Sequence, residues 1–213
     1  MKKQIDISGI IRLALTLSVF AAAACVMLAF VYTGTSKIIA DRQRSDLNLS
    51  LTEVFPGADT FTQVSGVKSS DASVAILSQY TAIKDGGTAG LVLELSRAGY
   101  SGPIRLLVGV SADGFVTGVK ILGHSETPGL GANAESPHYF VDKARKITFY
   151  GQFAGKSIQD PFEVKNDVIA ISASTITSRA ITEAVKAAAL SAHAWLNNET
   201  VDVVSGASEG GDW

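Results

Sequence analysis

The chain has 213 residues, 46% of them hydrophobic and 18% charged, with a formal net charge of −2. That balance excludes a disordered, collagenous or strongly basic nucleic-acid-binding protein. The single cysteine excludes an intramolecular disulfide, and equally an iron–sulfur cluster or structural zinc site held by cysteines of this chain alone.

Averages conceal two environments. The mean hydropathy of +0.25 is high for a soluble enzyme. Up to Arg44, six basic residues face two acidic ones, giving +4; beyond it, twelve face eighteen, giving −6. A basic head on an acidic body fits an anchored protein with a separate aqueous domain. The run from Leu13 to Ser36 carries no charge. As a helix rising ~1.5 Å per residue it reaches ~36 Å, enough for a hydrocarbon core of ~30 Å. It exceeds the ~7–15 residues of a signal-peptide core, so a retained single-pass anchor in the lipid bilayer is expected. A lipoprotein site at Cys25 is disfavoured by Ala22, which stands where a lipobox places Leu, and Cys25 reads as a small apolar residue within the membrane. Lys2, Lys3 and Arg12 flank one end and Lys37, Arg42 and Arg44 the other, so the charges do not decide orientation.

Beyond the anchor, Leu47, Leu51 and Val54 keep helical spacing up to Phe55-Pro56-Gly57, predicting a stalk helix. Strand-like runs follow at Val74–Ile83, Leu91–Leu95, Ile104–Val110 and Phe115–Leu122. Asp85-Gly86-Gly87 and Ala112-Asp113-Gly114 are turn signals between them. A Gly-rich loop comes next, then a predicted helix over about Ala134–Phe149. The last long helix is predicted from Ser174 to Leu196, with Ile176, Ala180, Ile181, Ala184, Val185, Ala188, Ala192 and Trp195 on its apolar face. The expected fold is α+β, an antiparallel sheet with helices packed on one side. The expected segments are 1–36 for the basic flank and transmembrane helix, 37–57 for the stalk, 58–204 for the folded domain and 205–213 for a flexible tail.

Two segments could carry chemistry. Gly123-His124-Ser125-Glu126-Thr127-Pro128-Gly129-Leu130-Gly131 is either a long turn with solvated His124 and Glu126 or a loop whose glycines let backbone approach a ligand. Asp167 to Arg179 opens the last helix with Ser172, Ser174, Thr175, Thr177 and Ser178. Hydroxyls at such a place serve as an N-cap. Alternatively they surround a phosphate, together with the free helix amides and Arg179. A Ser/Thr hydrolase using His124 is disfavoured by the lack of a nucleophile elbow.

GYSGPI at Gly99–Ile104, the Ala-Asp-Gly turn, HSETPGLGA and SASTITS together resemble the G subunit of Rnf-type ion-translocating electron-transport complexes. The C subunit of the sodium-pumping NADH:quinone reductase is similar at greater distance. The resemblance covers nearly the whole chain and implies an FMN-binding domain behind one transmembrane helix. It implies FMN attached covalently, as a phosphoester to Thr175, making this a phosphoprotein in the chemical sense. Two positions depart from the family motif: Ala173 stands for Gly and Ser174 for Ala. Ala173 is therefore expected to disfavour a positive φ at that site. Asp167 matches the acidic position of the attachment motif.

By the same resemblance, the cofactor site comprises Ser172, Ala173, Ser174, Thr177 and Ser178 around the phosphate. Glu126, Thr127, Gly129, Leu130 and Gly131 lie towards the flavin, with no metal and no catalytic residue. The implied function is electron relay within an ion-translocating ferredoxin/NAD oxidoreductase complex, in the bacterial inner membrane with the FMN domain on the periplasmic side. The implied partners are the complex's other membrane, iron–sulfur and flavin subunits, with a flavin transferase for maturation and no nucleic acid. The competing expectation is a non-redox anchored module binding an anionic ligand or envelope partner.

Overall fold

A computed structural model describes residues 7–207, with side chains described for Arg12, 15–35 and 45–197. The chain divides into two compact units, Met1–Leu47 and Asn48–Trp213. Helix α1 runs from Ile7 to Val54. Within the first unit its stretch Leu15–Thr35, 21 residues, has a mean hydropathy of 2.2 and is not buried. Its length of ~31 Å matches a bilayer core. Among the described residues this is the one helix long and apolar enough to cross a membrane. Thr16 and Thr33 donate their hydroxyls to the carbonyls of Arg12 and Ala29 at 3.1 and 3.0 Å, keeping polar groups satisfied along the apolar helix. Lys2 and Lys3 lie outside the described residues.

The second unit is built on five antiparallel strands in simple meander order: β1 (Thr60–Gln63), β2 (Val74–Lys84), β3 (Gly87–Ala98), β4 (Pro103–Ser111) and β5 (Val116–Gly123). Asp85 at φ 51° and Gly86 at φ 79° form the two-residue turn joining β2 to β3. Both angles are positive, as a turn matching strand twist requires. The second turn signal also holds, with Gly114 at φ 80° between β4 and β5. Short β1 went unpredicted, since Thr60–Gln63 is almost wholly exposed and carries no apolar alternation.

Helix α2 (Thr175–Ala207) covers one face of the sheet, against β3 and β4. Ala180, Ile181, Ala184, Val185, Ala188 and Ala192 are buried against Leu91, Leu93, Leu95, Leu106 and Val108. The alanines bring the helix backbone close to the sheet, and the branched strand residues fill the space between. Ile176, placed on this apolar face by its spacing, is instead 57% exposed. The helix runs on to Ala207, so Ser205–Ala207 of the expected tail are helical and 208–213 lie outside the described residues.

The other sheet face corrects the expectation that helices pack on one side only. The end of α1 lies there, with Leu51, Val54 and Phe55 buried. Gly109 and Gly118, paired across β4 and β5, leave room for it: a Cβ on either would come within 2.8 and 2.7 Å of the Val54 carbonyl oxygen. Thr117 donates its hydroxyl to that carbonyl at 2.7 Å, and Lys120 pairs with Glu53 at 2.6 Å.

Residues 124–174 are largely irregular. The helix predicted over Ala134–Phe149 is absent. A 3-10 turn at Gly131–Ala134 is followed by a small hairpin, β6 (Phe140–Asp142) and β7 (Ile147–Thr148). Local bonds defeat the helix: the Asp142 carboxylate accepts the amides of Ala144 and Arg145, both at 3.0 Å, and Lys146 turns at φ 55°. A second 3-10 turn, Gly151–Phe153, buries Phe153 edge-on to Phe149.

Candidate functional site

A cavity of about 440 Å³ opens where three segments meet: the β3–β4 turn, the loop after β5 and the start of α2. Tyr100 comes from the first, Glu126, Thr127, Leu130 and Gly131 from the second, and Ala173 to Thr177 from the third. Its volume lies within the ~300–1,000 Å³ of small-molecule sites.

Glu126 ties the three segments together. Its side chain is buried, and Oε1 accepts the backbone amides of Tyr100 and Ser101 at 2.8 and 3.0 Å. Oε2 accepts the Thr177 hydroxyl at 2.7 Å, across 51 residues of sequence. Two glycines make room for the carboxylate. A Cβ on Gly99 would approach Oε1 to 2.5 Å, and one on Gly131 would crowd Oε2 and come within 2.7 Å of Thr177 Oγ1. Burial alone would raise the Glu126 pKa. The Thr177 hydroxyl, the Ser101 and Tyr100 amides and the neighbouring His124 outweigh it, holding the carboxyl below the usual range.

The hydroxyl run at the start of α2 is divided in use. Ser178 is buried and fully engaged: Oγ accepts the Ile171 amide and donates to the Ser174 carbonyl, both at 2.9 Å. Thr177 serves Glu126. Ser172 is exposed, its amide donates to Tyr139 Oη at 3.3 Å, and neither Ser172 nor Ser178 lines the cavity. Ser174 and Thr175 do line it, and Thr175, the first residue of α2, is exposed. Among the described residues no partner engages its hydroxyl. Thr175 thus stands beside the free amides and positive dipole end of a long helix, where an anion is favoured.

Ala173 adopts φ 59°, the left-handed conformation that its side chain resists. Replacing it by glycine removes a penalty of ~1–2 kcal/mol and returns ~0.5–1 kcal/mol through the freer unfolded chain. Ala173→Gly is therefore expected to raise the thermal midpoint of the full-length protein by roughly 2–3 °C. A lower midpoint, read by differential scanning fluorimetry in detergent, would contradict this.

The other candidates lie elsewhere. Arg179 is exposed and lines a separate depression with Phe162, Glu163 and Glu183, not the cavity at Thr175. His124 Nδ1 accepts the Glu126 amide at 3.2 Å, and Nε2 lies 3.4 Å from Glu135 Oε1. The ring is thus oriented by the Glu126 amide, with Nε2 buried and making no hydrogen bond among the described residues, so it has no bond to the α2 hydroxyls and a hydrolytic pair is not assembled. Asp167 is a loop staple: it pairs with Lys156 at 2.7 Å and accepts the Phe162 and Glu163 amides. Burial opposes its charge, but Lys156 and those amides hold its pKa below the usual value. Gly129, at φ 78°, shapes the loop through its carbonyl, which accepts Asn133 Nδ2 at 2.9 Å, without lining the cavity. Sequence reasoning missed Tyr100 and Ile176, whose signal was the flanking Gly99 and Gly102 for one and adjacency to Thr175 for the other.

Residues 99–190 match the FMN-binding domain family, and residues 1–54 match the RnfG N-terminal region. The G subunit of the ion-translocating oxidoreductase complex of Methanosarcina acetivorans is 33% identical over 187 residues, covering 86% of this chain and 94% of that one. The G subunit of the proton-translocating ferredoxin:NAD(+) oxidoreductase complex of Clostridium ljungdahlii is 34% identical over 194 residues, covering 88% and 94%. The crystal structure of Shewanella oneidensis NqrC has a TM-score of 0.49 at 16% identity, covering 68% of this chain and 91% of that one.

Proposed function

Because the chain belongs to the RnfG family of ion-translocating oxidoreductase complexes, we propose that it is the membrane-anchored FMN subunit of such a redox-driven translocase. It relays electrons within the complex and has no independent turnover. The FMN-binding family match and the assembled cavity favour this over a non-redox anchored module. FMN supplies one- and two-electron redox chemistry when bound; the chain's own share is to hold, orient and shield it.

The observation that carries the reading is the position of Thr175. Its unengaged hydroxyl stands exposed at the helix N-terminus and lines a cavity otherwise walled by Glu126, Leu130, Gly131 and Tyr100. A phosphate esterified there sits on the positive end of α2, beside the residues around Ala173 and Ser174. Thr177 and Ser178 support the site indirectly, through Glu126 and the Ile171–Ser174 bonds. Covalent attachment retains the cofactor outside the cytoplasm, where it cannot be replenished, and this fits the periplasmic placement that family resemblance implies. A flavin transferase matures the protein, and the complex's other subunits are its partners. The apolar stretch Leu15–Thr35 contains no Asp, Glu, Lys, Arg or His, so the ion path is assigned to other subunits.

In-gel flavin fluorescence after denaturing electrophoresis tests this. The full-length chain made with a flavin transferase is expected to give a fluorescent band that Thr175→Ala abolishes. A dark wild-type band contradicts covalent attachment.

A further inference from the structure

Residues 169–174, the approach to α2, form neither strand nor helix, yet side chains from outside the segment hold their backbone. Gln152 Oε1 accepts the Ile169 amide at 2.8 Å, and Nε2 donates to the Ile169 carbonyl at 3.1 Å. The side chain thus pairs with Ile169 as a neighbouring strand would. The same Nε2 donates to the Phe149 carbonyl at 3.0 Å. The 3-10 turn bearing Gln152 is a firm base, because Phe149 and Phe153 beside it are fully buried. Tyr139 Oη accepts the Ser172 amide at 3.3 Å from 33 residues away, and Ser178 holds Ile171 between the two. Ile169 and Ser172 are exposed, and neither Gln152 nor Tyr139 lines the cavity at Thr175. The two bonded residues bury little themselves. Instead they bracket the turn at Ala173, whose φ of 59° an alanine adopts only where its surroundings impose it.

We propose that Gln152 and Tyr139 are positioning residues for the attachment step: by holding the Ala173 turn they present the unengaged Thr175 hydroxyl to the flavin transferase. This role rests on the covalent FMN reading above and adds two residues that reading does not assign. A phosphate monoester does not esterify a hydroxyl unaided in water, so the donor carries FMN through a phosphoanhydride, as in a flavin dinucleotide. Thr175 Oγ1 bonds to the FMN phosphorus and the anhydride bond breaks. The nucleoside monophosphate leaves and the hydroxyl proton passes to solvent; nothing is oxidised or reduced. An alanine without its bracket relaxes to negative φ, which swings the chain entering α2 and takes the hydroxyl off the line of attack.

The rate at which the full-length chain takes up FMN from a flavin dinucleotide, with a flavin transferase, tests this. Uptake is read as flavin fluorescence of the denatured chain, at a temperature where every variant is folded. Gln152→Ala is expected to lower kcat/KM for uptake roughly tenfold. Tyr139→Phe, which deletes a single hydroxyl, should lower it several-fold. A loss through general destabilisation would not depend on residue 173, whereas a lost bracket would. Glycine takes positive φ as readily as negative, so in an Ala173→Gly background the Gln152→Ala loss should shrink to about twofold or less. An equal loss in both backgrounds, or no loss in either, overturns the positioning role and leaves covalent FMN standing. An unchanged rate for Tyr139→Phe strikes Tyr139 from the bracket. A wild-type chain that takes up no FMN removes the covalent reading and the positioning role with it.

Discussion

Glu126→Ala is expected to lower the unfolding midpoint of the full-length protein by roughly 10 °C. The substitution leaves the Tyr100 and Ser101 amides and the Thr177 hydroxyl without their shared acceptor. Hydrogen bonds to a charged group contribute ~1.5–3 kcal/mol each. Water reaching the exposed Tyr100 turn recovers part of that, so ~3–4 kcal/mol is the expected loss, at ~2–4 °C per kcal/mol for a domain of this size. Glu126→Gln should fall between Glu126→Ala and wild type, because its amide oxygen still accepts on one side while its amide nitrogen cannot. Acid dependence follows the same contact. A carboxyl held below its ordinary value of 4.5 stabilises the fold above that pH and ceases to do so as pH falls through its lower folded value. The wild-type midpoint should therefore decline below about pH 4.5, with Asp167 adding its share from 3.8 downwards. Glu126→Gln should show the shallower decline, and identical slopes in the two proteins would contradict the role given to Glu126.

The second large effect is expected at Gly118. Its position faces Val54, where an added Cβ would lie 2.7 Å from the carbonyl oxygen and 3.1 Å from Cα. Both are backbone atoms, so no side-chain rotation relieves the clash. Gly118→Ala should lift residues around Leu51–Phe55 from the sheet, weakening the Thr117–Val54 hydrogen bond and the Lys120–Glu53 pair. Overpacking of this kind costs ~1–3 kcal/mol, or roughly 5 °C in midpoint. Limited proteolysis should also cut faster near Phe55. A variant with wild-type midpoint and cleavage would show that the close approach does not hold this segment.

What the sequence reveals here depends on how local each cause is. The membrane stretch, α2 and the two turns at Gly86 and Gly114 are written in hydropathy, helical spacing and glycine, all readable within a few residues. The segment from Ala134 to Phe149 misleads, because its apolar residues suit a helix while Asp142 and Lys146 close a hairpin instead. The end of α1 reads as a stalk, and only the stacked Gly109 and Gly118 of a folded sheet reveal that Val54 docks there.

The site shows the same division. Thr175 is marked by its motif, and the left-handed φ of Ala173 is the strain implied by alanine standing in glycine's place. By contrast, Thr177 and Ser178 look like phosphate donors in sequence, and only the fold commits their hydroxyls to Glu126, Ile171 and Ser174. The contact between Glu126 and Tyr100 spans 26 residues, and nothing local announces it. Ile176 illustrates the limit of periodicity: spacing assigns it to the core, while its place in the first turn of α2 leaves it open at the cavity.

The most direct test is mass spectrometry of the protein produced with a flavin transferase. Trypsin releases the peptide from Asn166 to Arg179, bounded by Lys165 and Arg179. This peptide is expected to gain the mass of one FMN less one water, with fragmentation placing the increment on Thr175. An unmodified peptide, or FMN on any other residue, would contradict attachment at the start of α2.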